Sequence, residues 1–197
     1  PAFRLVPKAV PVAVSIALLA GCAGTGDEPA KAPIAVVTAE RCSALTSTSL
    51  PGVRITDAKW VPAGTERPRN GNTEVGNPLP EHCVVQGRID ERVGTDGRPY
   101  YTGFELRLPS AWSHRFVYQG GGGNDGIVRP AYGNNSGARG AQDNALQRGY
   151  AAVTTDAGHQ GGEPIFGLEN QARIDHAYNA HDRTAVTAKA IVADYYG

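Results

Sequence analysis

The sequence predicts an α/β domain that begins with antiparallel strands and continues with parallel strand–helix units. The first observation behind this class is a hairpin: the strand predicted over 82–90 and the period-two alternation of 101–108 flank a turn signal at 94–97. The second is a change of pattern after residue 120, where a helical spacing, a short apolar strand and another helix follow one another. A content of 25 Gly and 14 Pro also argues against a helical bundle.

Local patterns predict the individual elements. Residues 62–80 are rich in Pro, Gly and Asn and therefore form a loop. We predict helices over 42–50, 138–148 and 182–196, and strands over 53–61, 82–90, 101–108, 115–119 and 150–155. The buried side of the last helix is expected to contain Val186, Ala190, Ile191, Ala193 and Tyr195. A parallel sheet needs a further strand after this helix, so the predicted sheet is incomplete.

Size and charge limit the possible functions. The chain has 197 residues, of which 41% are hydrophobic, and this is enough for one domain with a hydrophobic core. Nineteen basic and nineteen acidic side chains give a formal net charge of zero, and no basic stripe with interleaved aromatic residues occurs. We therefore expect no nucleic-acid partner.

The start of the chain has the pattern of an export signal. Arg4 and Lys8 precede the apolar run 9–20, which is too short to span a bilayer comfortably. The residues Leu-Ala-Gly-Cys at 19–22 resemble a bacterial lipobox, and this resemblance predicts that Cys22 is lipidated. An ordinary secretory signal with an incidental cysteine is the alternative.

These assignments divide the chain into three parts. We predict a lipoprotein signal peptide over 1–22, a flexible tether over 23–33 and the N-terminal part of a catalytic domain over 34–197. The protein would be exported to the bacterial cell envelope, with its lipid anchor as the contact with the membrane, or it would be secreted.

Two cysteines remain after the lipobox cysteine. Export places Cys42 and Cys83 in an oxidising compartment, where a pair of cysteines is expected to form a disulfide. Two free buried thiols are the alternative. A disulfide would close a loop of about 40 residues and stabilise the fold by roughly 3–4 kcal/mol.

A run of four glycines, Gly120, Gly121, Gly122 and Gly123, follows the strand predicted over 115–119. Glycine allows positive φ and close approach of the backbone to a ligand, so such a loop can direct N–H groups at an oxyanion. In α/β-hydrolases a His-Gly-Gly-Gly loop has this role, and here Gln119 stands in place of the histidine. A flexible surface turn is the alternative. No Gly-x-Ser-x-Gly nucleophile elbow occurs in the chain.

The same run also satisfies the dinucleotide-binding pattern Gly-x-Gly-x-x-Gly at Gly121, Gly123 and Gly126. That pattern requires a helix to open at the third glycine, yet Pro130 follows shortly after it. The first acidic residue after a strand, Asp156, lies 30 positions beyond Gly126, whereas the motif expects about 20. An oxidoreductase that uses a dinucleotide is therefore the weaker hypothesis.

Polar residues near the second glycine-rich loop, 156–162, have structural explanations. We expect Asp156 to cap the turn and His159 to form hydrogen bonds within it, because in α/β-hydrolases the acid and base follow the nucleophile in the chain. His176 and His181 lack the His-x-x-x-His spacing of a zinc helix, so we expect helix caps or surface residues and no metal site.

Three motifs together resemble the tannase and feruloyl esterase family. They are Phe-Val-Tyr-Gln-Gly-Gly-Gly-Gly-Asn-Asp-Gly at 116–126, Arg-Gly-Tyr-Ala-Ala-Val-Thr-Thr-Asp-Ala-Gly-His at 148–159 and Thr-Ala-Lys-Ala-Ile-Val-Ala-Asp-Tyr-Tyr-Gly at 187–197. The resemblance extends from about Cys42 to Gly197, and the order and spacing of the motifs make it specific.

The resemblance implies an α/β-hydrolase fold, of which this chain would be the N-terminal portion. It also implies a serine carboxylesterase that acts on small aromatic esters such as gallates, ferulates or terephthalate-like esters. In this family the glycine run supplies an oxyanion donor, which corresponds to 120–123, and an early cysteine pair forms a disulfide, which corresponds to Cys42 and Cys83.

The resemblance also implies where the remaining machinery lies. In the family a Tyr-Tyr-Gly at a helix end, as at 195–197, is followed by a Cys-Ser-x-Gly-Gly elbow. The nucleophile, the acid, the base and a lid with a structural calcium would then all follow Gly197, so no catalytic residue or cofactor is assigned here. We expect residues 1–197 alone to have no esterase turnover. A non-catalytic lipoprotein that serves as a binding module is the alternative, although its unfinished sheet would expose an unpaired edge.

Overall fold

The computed structural model describes residues 37–70, 72–134 and 144–197, which belong to one compact unit, Pro33–Gly197. The predicted signal peptide, Cys22 and the tether over 23–33 lie outside the described residues. Within the described part, no helix is long and apolar enough to cross a membrane.

Seven strands are present in the described ranges, and they form one five-stranded and one two-stranded sheet. They are β1 (Val53–Val61), β2 (Arg69–Asn70), β3 (Thr73–Glu74), β4 (His82–Val93), β5 (Pro99–Pro109), β6 (Phe116–Tyr118) and β7 (Ala151–Thr155). The helical segments are α1 (Ala39–Ala44), a 3₁₀ turn (Leu45–Ser47), a second 3₁₀ segment (Pro164–Leu168), α2 (Asn170–Ile174), a π turn (Asp175–Asn179) and α3 (Ala180–Tyr196).

The large sheet has the order β1-β4-β5-β7-β6. Strands β4 and β5 form the predicted antiparallel hairpin, in which Cys83 lies opposite Leu108 and Gly87 lies opposite Phe104. Strand β7 is antiparallel to β5 and parallel to β6, so the sheet changes from antiparallel to parallel at β7. The predicted order of antiparallel strands followed by a parallel pair is confirmed.

Two predicted helices differ from the observed ones. The first begins at Ala39 instead of residue 42, because the Thr38 side chain accepts a hydrogen bond from the N–H of Arg41 (3.2 Å) and caps the helix. For the helix predicted over 138–148, residues 138–143 lie outside the described part. The remaining residues form turns, in which Asn144 and Gln147 exchange side-chain-to-backbone hydrogen bonds of 2.8 and 3.0 Å.

The last helix is confirmed, but its buried side is not the predicted one. Ile191 and Tyr195 are buried as expected, whereas Val186 is 57% exposed and Ala193 is exposed. The buried side also contains Thr184, Thr187, Ala188, Val192 and Tyr196. The predicted face contained only apolar and aromatic residues, whereas the observed buried face includes two threonines.

The predicted disulfide between Cys42 and Cys83 is confirmed. It joins α1 to the start of β4 with a Cα–Cα distance of 5.6 Å. Both cysteines are completely buried, within the core cluster that α1, the large sheet and α3 share. The bridge therefore fixes α1 against the sheet and closes the loop that contains β1.

Candidate functional site

The candidate site lies where two glycine-rich loops meet, after the parallel strands β6 and β7. The first loop opens with Gln119, whose N–H donates to the carbonyl of Val153 in β7 (2.8 Å). Its side-chain oxygen accepts from the N–H groups of Gly133 (2.8 Å) and Asn134 (3.1 Å), and its amide nitrogen donates to the Pro130 carbonyl (3.2 Å). Gln119 thus joins the two ends of the segment 119–134. The sequence motif, in which Gln119 replaces a histidine, did not predict this role.

The four glycines predicted as oxyanion donors are not equivalent. The N–H of Gly122 donates to the carboxylate of Asp125 (2.7 Å), so this N–H is not available to a ligand. Among the described residues, the N–H groups of Gly120, Gly121 and Gly123 donate to no acceptor. Gly123 also has a φ of +66°, a conformation that few other residues adopt. Three N–H groups are therefore available to an anion, and the oxyanion role stays a prediction.

In the second loop, the buried carboxylate of Asp156 organises the turn after β7. One oxygen accepts from the N–H groups of Gly103 and Gly158 at 3.0 Å each, and the other accepts from the Gln160 side chain (3.1 Å). Gly103 belongs to β5, so this carboxylate joins the loop to a neighbouring strand. Asp156 caps the turn, and its oxygens are occupied by these structural hydrogen bonds.

The two glycine-rich loops form a single unit through backbone hydrogen bonds. The N–H of Gly126 donates to the Asp156 carbonyl, and the N–H of Gly161 donates to the Gly126 carbonyl, both at 2.9 Å. The Asn124 side chain adds a bond to the Gly162 carbonyl (3.1 Å). Gly126 has a φ of +82°, and a Cβ there would collide with the backbone of Gly161. This close approach requires glycine at position 126.

The expectation that His159 forms hydrogen bonds within its turn is wrong. Its ring is 1% exposed, and neither ring nitrogen has a hydrogen-bond partner in the part of the chain that the structure describes. Instead the ring stacks on Phe166 at a centroid distance of 3.8 Å and meets the edge of His176 at 5.2 Å. Burial lowers the pKa of His159, while the nearby carbonyls of Asn124 and Gly161 act in the opposite direction. The ring packs as a neutral aromatic group.

The two other histidines, predicted as helix caps or surface residues, are half-buried, and neither of them caps a helix. His176 lies in the π turn, with its ring 4.7 Å from that of Phe166. His181 lies in the first turn of α3, where its Nδ1 is 3.0 Å from the hydroxyl of Tyr118. Among the described residues, no group of three or more His, Cys, Asp or Glu side chains could hold a metal ion.

A buried ionic network that the sequence did not predict supports the end of the first loop. The Glu105 carboxylate accepts from the N–H of Ala131 (3.0 Å) and from Nε of Arg107 (2.7 Å). Arg107 also donates to both carboxylate oxygens of Glu66 at 3.0 Å, and Glu66 accepts from the Tyr132 hydroxyl (3.0 Å). The network therefore joins the segment after the glycine run to β5 and to the 62–80 loop.

His82 completes this network as a neutral ring. Its Nδ1 is 2.7 Å from the Pro80 carbonyl and its Nε2 is 3.0 Å from an Arg107 guanidinium nitrogen, so a hydrogen on Nδ1 satisfies both contacts. Burial, together with the positive charge of Arg107, lowers the pKa of His82 to about 4. Neutral His82 therefore stabilises the fold. This contribution to the free energy of unfolding is present above pH 6.5 and is lost as the pH falls through about 4.

Asp156 is expected to give the fold a dependence on pH opposite to that of His82. Burial raises the pKa of Asp156 to about 6 from 3.8, so its protonated form is favoured by folding and the ionised form weakens the fold. This contribution is present below pH 3.8 and is lost as the pH rises through about 6. Replacing Asp156 by Asn removes it, because the amide keeps an oxygen for the Gly103 and Gly158 N–H groups without a charge.

The expected result is that the free energy of unfolding of D156N, relative to wild type, increases between pH 4 and pH 7 by on the order of 3 kcal/mol. Urea unfolding of both proteins at several pH values in this range measures the difference. A difference that stays constant with pH would contradict the assignment of the raised pKa to Asp156.

Comparison with known proteins assigns the chain to a family. Residues 83–197, more than half of the chain, match the family model described as tannase and feruloyl esterase. The chain belongs to the tannase and feruloyl esterase family. This membership speaks against the dinucleotide-binding hypothesis, and so does the geometry, because residues 124–134 after the glycine run contain no helix.

Two curated relatives are esterases or ester hydrolases by name. The chain is 42% identical over 128 residues to a mono(2-hydroxyethyl) terephthalate hydrolase of Piscinibacter sakaiensis, in a match that covers 60% of this chain and 21% of that protein. It is 26% identical over 162 residues to an uncharacterized esterase of Agrobacterium fabrum, with 79% of this chain and 28% of that protein covered. The chain thus spans less than a third of the length of these members of the family.

A solved structure shows the fold. The crystal structure of feruloyl esterase B from Aspergillus oryzae matches 80% of this chain and 29% of its own chain, with a TM-score of 0.61 and 21% sequence identity. This likeness confirms the predicted α/β-hydrolase class, with the antiparallel strands first and the parallel pair after them. The glycine run lies directly after β6, within the part of the chain that the family model matches.

Proposed function

We propose that this chain is the N-terminal part of an exported serine carboxylesterase that hydrolyses small esters of aromatic acids. The observation that carries the proposal is the first glycine loop, in which three N–H groups have no acceptor among the described residues. Strand β6 and the second loop hold this segment in place. Membership of the tannase and feruloyl esterase family supports ester hydrolysis. The names of the relatives, a terephthalate monoester hydrolase and a feruloyl esterase, support an aromatic acid as the acyl group.

In the proposed reaction, a serine hydroxyl supplied by a residue after Gly197 attacks the carbonyl carbon of the ester. A histidine takes the hydroxyl proton, and an aspartate orients that histidine. The carbonyl oxygen then carries a negative charge, which the free N–H groups of Gly120, Gly121 and Gly123 would stabilise by about 3–4 kcal/mol per donor that reaches it. The tetrahedral intermediate expels the alcohol, which receives the proton from the histidine, and water releases the acid by the same steps.

We also propose that the protein works in the cell envelope, held by a lipid on Cys22. The buried Cys42–Cys83 disulfide supports export, because disulfides persist in oxidising compartments and are rare in the cytosol. The lipid anchor would then be the contact with the membrane, and the ester would reach the enzyme from outside the cytoplasm. Retention of radiolabelled palmitate by wild type and its loss in C22S would test the anchor.

The experiment that tests the function begins with the reading frame on both sides of this segment. We expect the frame to continue after Gly197 into a Cys-Ser-x-Gly-Gly elbow. The full-length product should then hydrolyse methyl ferulate, methyl gallate or mono(2-hydroxyethyl) terephthalate, and a serine-directed phosphonate should abolish the activity. Replacing the elbow serine by alanine is the matched control for contaminating esterases.

Two results would overturn the proposal. One is a stop codon directly after Gly197. The other is a folded full-length protein that binds these esters without hydrolysing them, which would instead support a non-catalytic binding module.

A further inference from the structure

Asp125 occupies an unusual place at the end of the glycine run. It is not a glycine, yet its φ is +51°, in the left-handed region that L-residues avoid and that aspartate tolerates better than most. Gly126 directly after it is held by hydrogen bonds to Asp156 and Gly161. Asp125 therefore stands at the junction between the anchored part of the loop and the unpaired glycines.

The carboxylate of Asp125 turns back into the glycine run. Its Oδ1 accepts the N–H of Gly122 at 2.7 Å, and its own N–H donates to the Gly122 carbonyl at 3.3 Å. The same oxygen lies so close to Gly121 that any Cβ at that position would collide with it. The run is thus folded around a carboxylate that belongs to the same loop.

This carboxylate has no cationic partner among the described residues, because none of their ion pairs includes Asp125. The carboxylate instead binds the Gly122 N–H of its own loop. A run of four glycines otherwise has more backbone freedom than any other sequence, and an oxyanion hole acts only when its donors are fixed before the reaction.

We propose that Asp125 is a positioning residue of the oxyanion loop. It fixes the glycine run from inside by binding the Gly122 N–H, and it leaves the N–H groups of Gly120, Gly121 and Gly123 as the candidate donors. Asp125 acts as a hydrogen-bond acceptor, and its charge is not required, because a negative charge beside a developing oxyanion opposes the reaction. This inference rests on the proposed esterase function.

The test uses three forms of the full-length protein: wild type, D125A and D125N. D125A removes the acceptor, and we expect kcat on methyl ferulate to fall about tenfold with little change in KM, less than the roughly 100-fold or greater loss for removal of a whole donor. D125N keeps an oxygen for the Gly122 N–H, and we expect its kcat to equal or exceed that of wild type. D96A is the matched control, because Asp96 accepts a backbone N–H (Arg98, 3.0 Å) in the hairpin turn, away from this loop; its kcat should not change.

Hydrogen–deuterium exchange of a peptide that covers 116–126 gives a readout that does not need activity. We expect faster exchange in D125A than in wild type or D125N. The inference fails if wild type is active and D125A keeps kcat within twofold, if D125N is impaired as much as D125A, or if exchange is the same in all three forms. Absence of turnover in folded wild type would instead overturn the proposed function and, with it, the positioning role of Asp125.

Discussion

Replacing Arg107 by methionine is expected to lower the free energy of unfolding by about 3–5 kcal/mol. Arg107 is 5% exposed and Glu105 is 6% exposed, and the guanidinium binds Glu105 at 2.7 Å and Glu66 at 3.0 Å. Without the guanidinium, the Glu105 carboxylate stays buried with no cation beside it, and this is the costly state for a charge in a protein interior. Urea unfolding followed by tryptophan fluorescence measures the loss.

A matched control separates burial from the geometry of the ion pair. Arg54 binds Glu91 through two hydrogen bonds of 2.7 Å, but both side chains are exposed to solvent, so R54M should change stability little. The double variant R107M/E105Q should recover part of the loss, because Gln keeps an acceptor for the Ala131 N–H without a charge. Equal effects of R107M and R54M would contradict the assignment.

Removing the disulfide by the double substitution C42S/C83S is expected to cost roughly 3–4 kcal/mol. The bridged residues are 41 positions apart and both are 0% exposed, so the variant releases a long loop in the unfolded state and places two hydroxyl groups in the core. Trp60 lies opposite Cys83 in the β1–β4 pair, and its fluorescence therefore reports on this region directly.

Wild type in the presence of a reducing agent is the control for the disulfide. Once reduced in the unfolded state, it should show the same loss of stability as C42S/C83S. A loss below about 1 kcal/mol in the variant would indicate that the reduced chain retains most of the constraint through packing alone.

Much of the fold could be predicted from local sequence patterns, because the spacing of apolar residues reflects which side of a strand or helix is buried. Strand β1 has the predicted bounds, Val53–Val61. Strand β4 continues to Val93, three residues beyond the predicted end, since a bulge between Ile89 and Arg92 carries the polar residues 90–92 through the pairing. The sequence predicted the end of the strand at residue 90, and pairing with β5 extends it to Val93.

The site could be predicted only in part. The composition of the glycine run identified the loop, but no rule on composition shows which N–H groups a side chain takes, because that depends on the φ of Asp125. The period-two alternation of 101–108 predicted a strand, but it did not predict the burial of Glu105 and Arg107. They are buried because 62–80 and the segment after the glycine run, far away in the sequence, contribute Glu66 and Tyr132 to the same network.

The position of the disulfide has a mechanical consequence. A tensile force applied to the chain on the N-terminal side of Cys42 passes through the sulfur atoms to Cys83, at the start of the interior strand β4. Residues 43–82, with strand β1 among them, lie in a covalent loop that the force does not stretch. Pulling therefore acts on β4, which hydrogen bonds hold to a strand on each side. If the proposed lipid anchor holds the protein through its N-terminus, movement of the membrane would strain the best-supported strand of the sheet first and leave the edge strand β1 unloaded.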